Sequence, residues 1–357
     1  MSLIFAILFA VLLFSFLIFV HELGHFVAAK LSGVQVNEFS MFMGPAIATW
    51  SRGETQYTIR CIPIGGYCAM EGEDEDTENP HSFQKASWWK RLIILAAGSF
   101  MNFLAGVLIV AVVLFWQPRY TTTQLVKVEQ WCSAAVAGGL QAGDQILEFD
   151  GKKINIYEDF SLATMLADDG NYDITVLRDG QVVELDDVPM IRQLVADTAG
   201  VQSRLYGISF DRVNTTAASV PERILPTAFN YVKSVIVSLE MLFTGQAGLQ
   251  DMTGAVGIVQ IMSESAASAE ETSTAILNML YFGGFLAINL AVMNMLPIPA
   301  LDGGRIVGLL LTTGVEGVTR KKIDPKYEGY IHTAGMIALL ALMALITFKD
   351  IFTMIKR

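Results

Sequence analysis

Apolar positions in this chain fall into long uninterrupted runs, and those runs predict its first elements. Four of them, roughly 3–20, 92–116, 277–304 and 331–348, are long enough to cross a bilayer as helices of about 20 residues. The first lacks a basic flank before it and is longer than the apolar core of a cleaved leader, so it reads as a retained span. A fifth apolar stretch, ILPTAFNYVKSVIVSLEML at 224–242, carries Lys233 in its middle and Glu240 near its end. That pattern predicts a helix lying on a membrane or packed on a domain, not a span. Between the first two runs, residues 39–70 alternate apolar and polar side chains about Arg52-Gly53, the pattern of a β-hairpin. Alternation returns in VVELDDV (182–188), and the turn pairs Asp150-Gly151 and Asp179-Gly180 mark residues 119–212 as a small β-rich domain.

The expected fold class is therefore a polytopic α-helical membrane protein. It has four transmembrane helices, a membrane-associated β-hairpin and a β domain outside the bilayer. Residues 1–118 form the first part of a membrane core, with two spans and the hairpin loop. The β domain follows at 119–212, then a linker with the amphipathic helix at 213–275, and the second part of the core, with two spans, at 276–357.

Composition sharpens this. Of 357 residues, 53% are hydrophobic, too many for an ordinary soluble domain. The net charge of −11 argues against nucleic acid as a partner, which rewards basic surfaces. Three scattered cysteines, Cys61, Cys68 and Cys132, supply neither a disulfide framework nor a zinc knuckle. Lysine and arginine set the orientation. The loop between the first two spans holds Lys30, Arg52, Arg60, Lys85, Lys90 and Arg91, and the loop between the last two holds Arg305, Arg320, Lys321, Lys322 and Lys326. Both belong in the cytoplasm, which puts segment 118–275 outside. The tail residues Lys349, Lys356 and Arg357 run against this rule.

The chemistry sits at the end of the first run, in FVHELGHFVAAK (19–30). Ionisable residues at membrane depth are expensive and mark functional sites. On a helix, His21 and His25 share a face and reach one metal ion, while Glu22 stands beside the first ligand, placed to take a proton from water. Catalytic zinc needs a third protein ligand. His81 lies in an acidic loop, His332 opens the last span, and Glu38 follows His25 by only thirteen residues. The better candidate is Asp302 in NMLPIPALDGGR (294–305), where Pro297 and Pro299 break the helix just before it. Depth agrees, since residues 3–20 carry His21 roughly 27 Å along its span, near the cytoplasmic interface where the inward-running third span delivers Asp302. A true span at 224–242 would throw Asp302 to the opposite face.

These motifs resemble those of the site-2 proteases, membrane-embedded zinc metalloproteases of regulated intramembrane proteolysis, in the bacterial form with one extracytoplasmic PDZ domain. HELGH (21–25) and NMLPIPALDGG (294–304) are similar to the two signature motifs of that family. IPIGGYCAMEGEDE (62–75) resembles the stretch after its membrane-re-entering hairpin, and GSFMNF (98–103) its second-span G-x-x-x-N motif. AGGLQAGDQILEFDGKKI (137–154) resembles a PDZ core, and LYGI (205–208) a carboxylate-binding strand. The resemblance implies Zn2+ held by His21, His25 and Asp302, with Glu22 as general base. It implies a substrate groove shaped by Asn294, Pro297 and Pro299, with Asn102, Gly65 and Gly66 among the substrate-binding positions, and a hairpin edge that pairs with unwound substrate. Two stretches depart from the family pattern: GAVGIVQ (254–260) has Ala255 where proline is usual, and CSAA (132–135) stands where Ser-Pro-Ala is commoner. The acidic run EGEDEDTE (71–78) reads as a solvated loop.

The function so implied is intramembrane endopeptidase activity in a bacterial inner membrane. Substrates are single-span membrane proteins, such as anti-sigma factors already trimmed outside or remnant signal peptides, and the PDZ domain offers a site for peptide C-termini. The alternatives are a catalytically inactive PDZ-bearing scaffold and a zinc transporter. The transporter predicts more histidines and carboxylates within the spans than this chain has.

Overall fold

The computed structural model describes residues 3–73, 77–136, 139–196, 202–248, 252, 254–267, 271–319 and 326–356. Asp74, Glu75 and Asp76 of the acidic run, Ala137 and Gly138 of the PDZ-like stretch, and Arg320, Lys321, Lys322 and Arg357 lie outside the described residues. The chain divides into two compact units, 1–110 together with 235–357, and 111–234.

The first unit opens with α1 (Leu3–Ser32). It contains no proline and one glycine, and in lipid a helix satisfies its own backbone. The helix continues well past Val20, so HELGH lies inside it, with no turn at the motif. Strands β1 (Val36–Arg52) and β2 (Thr55–Met70) form the expected hairpin, turning at Gly53, whose φ of 63° suits glycine. The hairpin doubles back on itself: Ser40 faces both Tyr67 and Thr58, and Thr58 also faces Thr49. Arg60 stitches this sheet, donating to Glu38 Oε1 and Tyr67 Oη at 2.8 and 2.7 Å and to the Gly44 carbonyl at 2.8 Å. Helix α2 (Trp88–Trp116) packs closely on α1, since a Cβ at Gly24 would stand 2.4 Å from the Ala97 carbonyl oxygen.

In the second unit, β3 (Arg119–Val128), β4 (Gln145–Phe149), β5 (Lys152–Lys153), α3 (Tyr157–Leu166), β6 (Gly170–Arg178) and β7 (Gln181–Met190) come first. They are followed by β8 (Gln193–Ala196), β9 (Gln202–Leu205), β10 (Ile208–Asn214) and, as far as Ser234, α4 (Ser219–Thr244). The sheet runs β10-β3-β4-β6-β7 with β5 on β4, while β8 and β9 form a separate ribbon. Its core holds Phe149, Ile146, Ile174, Val176 and Met190. Asp144, buried, takes two hydrogen bonds from Arg178 at 2.7 and 2.8 Å and one from the Gln141 N–H at 2.8 Å, which explains the aspartate of the AGD stretch. Asp159 does two jobs. One oxygen caps α3 through the N–H groups of Asn155 and Ile156, and the other receives Asn230 and Lys233 at 3.1 and 2.7 Å. The polar face of α4 is thus tied to the β domain, and this unit runs on to Ser234. The mid-helix lysine thus has its partner on the β domain, and α4 is not one of the helices that are long and apolar enough to cross a membrane among the described residues.

The rest of the first unit comprises α5 (Ala255–Ala267), α6 (Thr272–Asn294), α7 (Asp302–Thr319) and α8 (Lys326–Lys356). Among the described residues four helices are long and apolar enough to cross a membrane: Ile7–Ser32, Trp88–Trp116, Thr272–Asn294 and Gly329–Thr353. The third corrects the expected 277–304. It stops at Asn294 because Pro297 and Pro299 lack N–H donors, and Asp302 instead opens a new amphipathic helix, α7, which apolar runs alone did not predict. Ile306 and Leu309 of α7 share a core with Ala28, Ala29, Phe39 and Ile94. The acidic run is also not simply solvated, because Glu73 pairs with Arg305.

Candidate active site

α1 carries His21 and His25 on one face, their Nε2 atoms 3.2 Å apart. Asp302, first residue of α7, brings Oδ2 to 3.2 Å from His21 Nε2 and 3.4 Å from His25 Nε2. Asp302 Oδ2 is buried and takes no hydrogen bond. A buried acceptor without a donor costs about 1–3 kcal/mol, more when charged, so the geometry calls for a cation there. The size fits as well. Donors bound to zinc at about 2.0–2.1 Å in a tetrahedron lie roughly 3.3 Å apart, close to these three edges.

The imidazoles are fixed from behind. His25 Nδ1 lies 2.8 Å from the Ile94 carbonyl oxygen, which only accepts, so the proton sits on Nδ1 and the Nε2 lone pair faces the metal position. His21 Nδ1 lies 3.3 Å from the amide of Asn102, itself 1% exposed. Asn102 Oδ1 is buried with no partner. Turned to face His21, that oxygen accepts an Nδ1–H and prepares His21 for metal in the same way. Asn102, expected among the substrate-binding positions, thus stands against His21 Nδ1.

Three further requirements are written as glycines. A Cβ at Gly98 of α2 would sit 2.3 Å from His25 Nε2 and 2.8 Å from His21 Nε2. One at Gly303 would lie 2.3 Å from the carbonyl oxygens of Met295 and Leu296, and one at Gly304 2.2 Å from that of Ile298. The loop 295–301 closes through short-range turns, Leu296 N–H to Met293, Ile298 N–H to Leu296 and Leu301 N–H to Ile298, and presses against the start of α7. Gly98 lay within the quoted GSFMNF stretch, but only the packing reveals what it does.

Glu22 follows His21 on α1, and Gly66 of β2 approaches it, with a Cβ there 3.7 Å from Glu22 Cγ. Ser15, two turns earlier on α1, donates to the Pro63 carbonyl at 2.6 Å and anchors that stretch of β2. Gly65 adopts φ 82° beside Met43. Pro297 is exposed, Asn294 ends α6, and Pro299 rests against Gly335 of α8. The other ligand candidates have different partners. Glu38 binds Arg60; burial pushes its carboxyl up, but hydrogen bonds with Tyr67 and Arg60 outweigh that and hold it below its ordinary value. His81 meets the Gly33 carbonyl at 3.2 Å, and His332 accepts from the Ala300 N–H at 3.0 Å.

The model of peptidase family M50 matches residues 9–342. The chain belongs to this family. M50 is the site-2 protease family, so the chain is a zinc metalloprotease, and Zn2+ is the ion the triangle of donors fits. A Clostridium perfringens relative named for zinc metalloprotease activity is 33% identical over 350 residues, covering 97% of this chain and 98% of its own. One so named from Fusobacterium nucleatum is 35% identical over 360 residues, with 97% and 98% covered. The regulator of sigma-W protease RasP of Bacillus subtilis is 25% identical over 422 residues, with 96% and 97% covered.

Proposed function

We propose that this M50 member is an intramembrane endopeptidase that cuts single-span membrane proteins within their apolar segments. Trimmed anti-sigma factors and remnant signal peptides are the substrate classes, in a bacterial inner membrane. The observation that carries the reading is the location of the donors: His21 and His25 lie inside Ile7–Ser32, a stretch long and apolar enough to be a span. A metal site built there acts on what reaches membrane depth.

In this reading His21, His25 and Asp302 hold the zinc, which when bound polarises the scissile carbonyl and makes water a better nucleophile. Glu22 takes the proton of the attacking water on a carboxylate oxygen and returns it to the leaving amine. Asn102 and the Ile94 carbonyl keep the imidazoles turned to the metal. The β2 stretch at Gly65 and Gly66, anchored through Ser15, supplies the edge on which unwound substrate pairs, since helical peptide bonds are closed to attack. Asn294, Pro297 and Pro299 border the same groove. The intact donor set weighs against the inactive-scaffold alternative.

Residues 119–212 act in this reading as a PDZ-like domain outside the membrane. The loop at Gly207 (φ 80°) and the edge strand β10 receive peptide C-termini. The zinc site then lies near the cytoplasmic face. Co-reconstitution with single-span proteins and mass-spectrometric mapping of the products tests the proposal. Cuts inside the apolar segment are expected; cuts confined to the soluble flanks overturn it.

A further inference from the structure

Helix α8 supplies no metal ligand, yet it touches the loop that delivers one. His332 Nδ1 accepts the N–H of Ala300 at 3.0 Å. One turn along the same face, Gly335 meets Pro299: a Cβ there would lie 2.4 Å from Pro299 Cβ and 2.7 Å from its carbonyl oxygen. Ala300 has φ 79°, a left-handed conformation that alanine disfavours. Nδ1 accepts only when it carries no proton, so this imidazole is a neutral acceptor with its proton on Nε2.

From here the strain leads straight to the metal. Gly303 and Gly304 lie so close to the carbonyls of Met295, Leu296 and Ile298 that loop and helix start form one tightly packed piece. If Ala300 relaxes, Asp302 moves with it. We infer that His332 is a positioning residue for Asp302: it holds the left-handed turn that aims the carboxylate at the two histidines. The inference rests on the reading of Asp302 as a zinc ligand.

The test uses the full-length protein in nanodiscs, loaded with zinc, and measures bound metal and its rate of loss to a chelator. His332→Phe keeps a ring and removes the acceptor; His332→Asn returns an amide oxygen near the Nδ1 position. The phenylalanine variant should lose zinc about tenfold faster or more, the usual effect of removing a partner that orients a ligand. The asparagine variant should stay near wild type, and KM for a model substrate should not change in either. Gly335→Ala pushes Pro299 from the same helix and should speed loss as His332→Phe does. Wild-type retention in whichever of those two variants folds overturns the inference, and so does loss from His332→Asn as fast as from His332→Phe. Asp302→Asn separates the two levels. If it loses zinc while His332→Phe does not, only this inference fails; if it keeps zinc like wild type, the site reading fails and takes this with it.

Discussion

His21 and His25 reach their places by periodicity alone, four residues apart on an unbroken helix. Asp302 reaches the same point by a different route: a helix that stops at Asn294, two prolines, three tight turns, a left-handed alanine and two glycines without room for a side chain. The first half of the site is regular structure with chemistry placed on it. The second half is irregular backbone, tolerated at membrane depth where protein surrounds it. Regular structure keeps its geometry when a side chain changes, and the loop keeps it only while each contact holds. The comparison can be broken at either half.

The largest effect belongs to the helix half and is chemical. Glu22→Gln should retain zinc, since α1 still presents both histidines and the proposed mechanism does not use Glu22 as a ligand. It should lower the cleavage rate by at least 10²–10⁴-fold, the scale of general-base help. Asp302→Asn should behave differently, losing zinc first and activity as a consequence. Metal content measured beside cleavage for the two variants separates base from ligand; a Glu22→Gln protein that cleaves near the wild-type rate removes Glu22 from the mechanism.

Next comes Gly98→Ala, where a single methyl would enter the space of His25 Nε2. Helix propensity favours the change, so α2 should persist, while the methyl enters on the metal side of the imidazoles and zinc affinity should fall by at least about a hundredfold, the upper end of what lost support behind a ligand costs. Circular dichroism with competitive zinc titration checks this. Wild-type affinity with intact helicity would mean that the imidazoles have slack this packing denies them.

These two changes also mark what was legible in the sequence. HELGH was readable because its chemistry follows from spacing, and α1, α2 and the hairpin because apolar runs and alternation carry their own period. Asp302 was readable as an interruption of an apolar run, but the helix it opens was not, since α7 is only half apolar and its buried face was predicted by no run. Asn102 was visible as a residue, but its contact with His21 was not, because a side chain's partner is a tertiary fact. Cys132 shows the same limit. It is 5% exposed, and burial pushes its thiol up, so the native cysteine makes a poor reporter of which side of the membrane 119–212 occupies.

Asn102→Ala probes the support behind His21 without touching the helix that carries it. Removing the amide leaves Nδ1 without its partner at 3.3 Å, while His25 keeps the Ile94 carbonyl. Zinc affinity should fall by about tenfold, the lower end of the range for such partners, because one of two imidazoles stays fixed. Asn102→Asp should recover most of that loss, as a carboxylate accepts from Nδ1–H. Equal affinity in Asn102→Ala and wild type would return Asn102 to the substrate groove, and KM would then carry its effect.

The smallest effect is expected where the loop looks most strained. Ala300→Gly removes the cost of a left-handed alanine, about 1–2 kcal/mol. It also frees the unfolded chain, which costs about 0.4–1 kcal/mol. The N–H to His332 remains, so the turn keeps the contact that aims Asp302. The first term outweighs or matches the second, so the metal-free protein should gain about 0–1.6 kcal/mol of stability, with zinc affinity within a fewfold of wild type. Gly98→Ala adds one methyl and should cost a hundredfold, while Ala300→Gly removes one and should cost almost nothing. That asymmetry is the sharpest form of the comparison, because the helix half excludes matter and the loop half only needs a conformation held. Denaturant unfolding of the metal-free variant, beside its zinc titration, measures both terms. A large loss of zinc affinity in Ala300→Gly would mean that alanine itself stiffens the turn, and that the hydrogen bond from α8 is not enough to hold it.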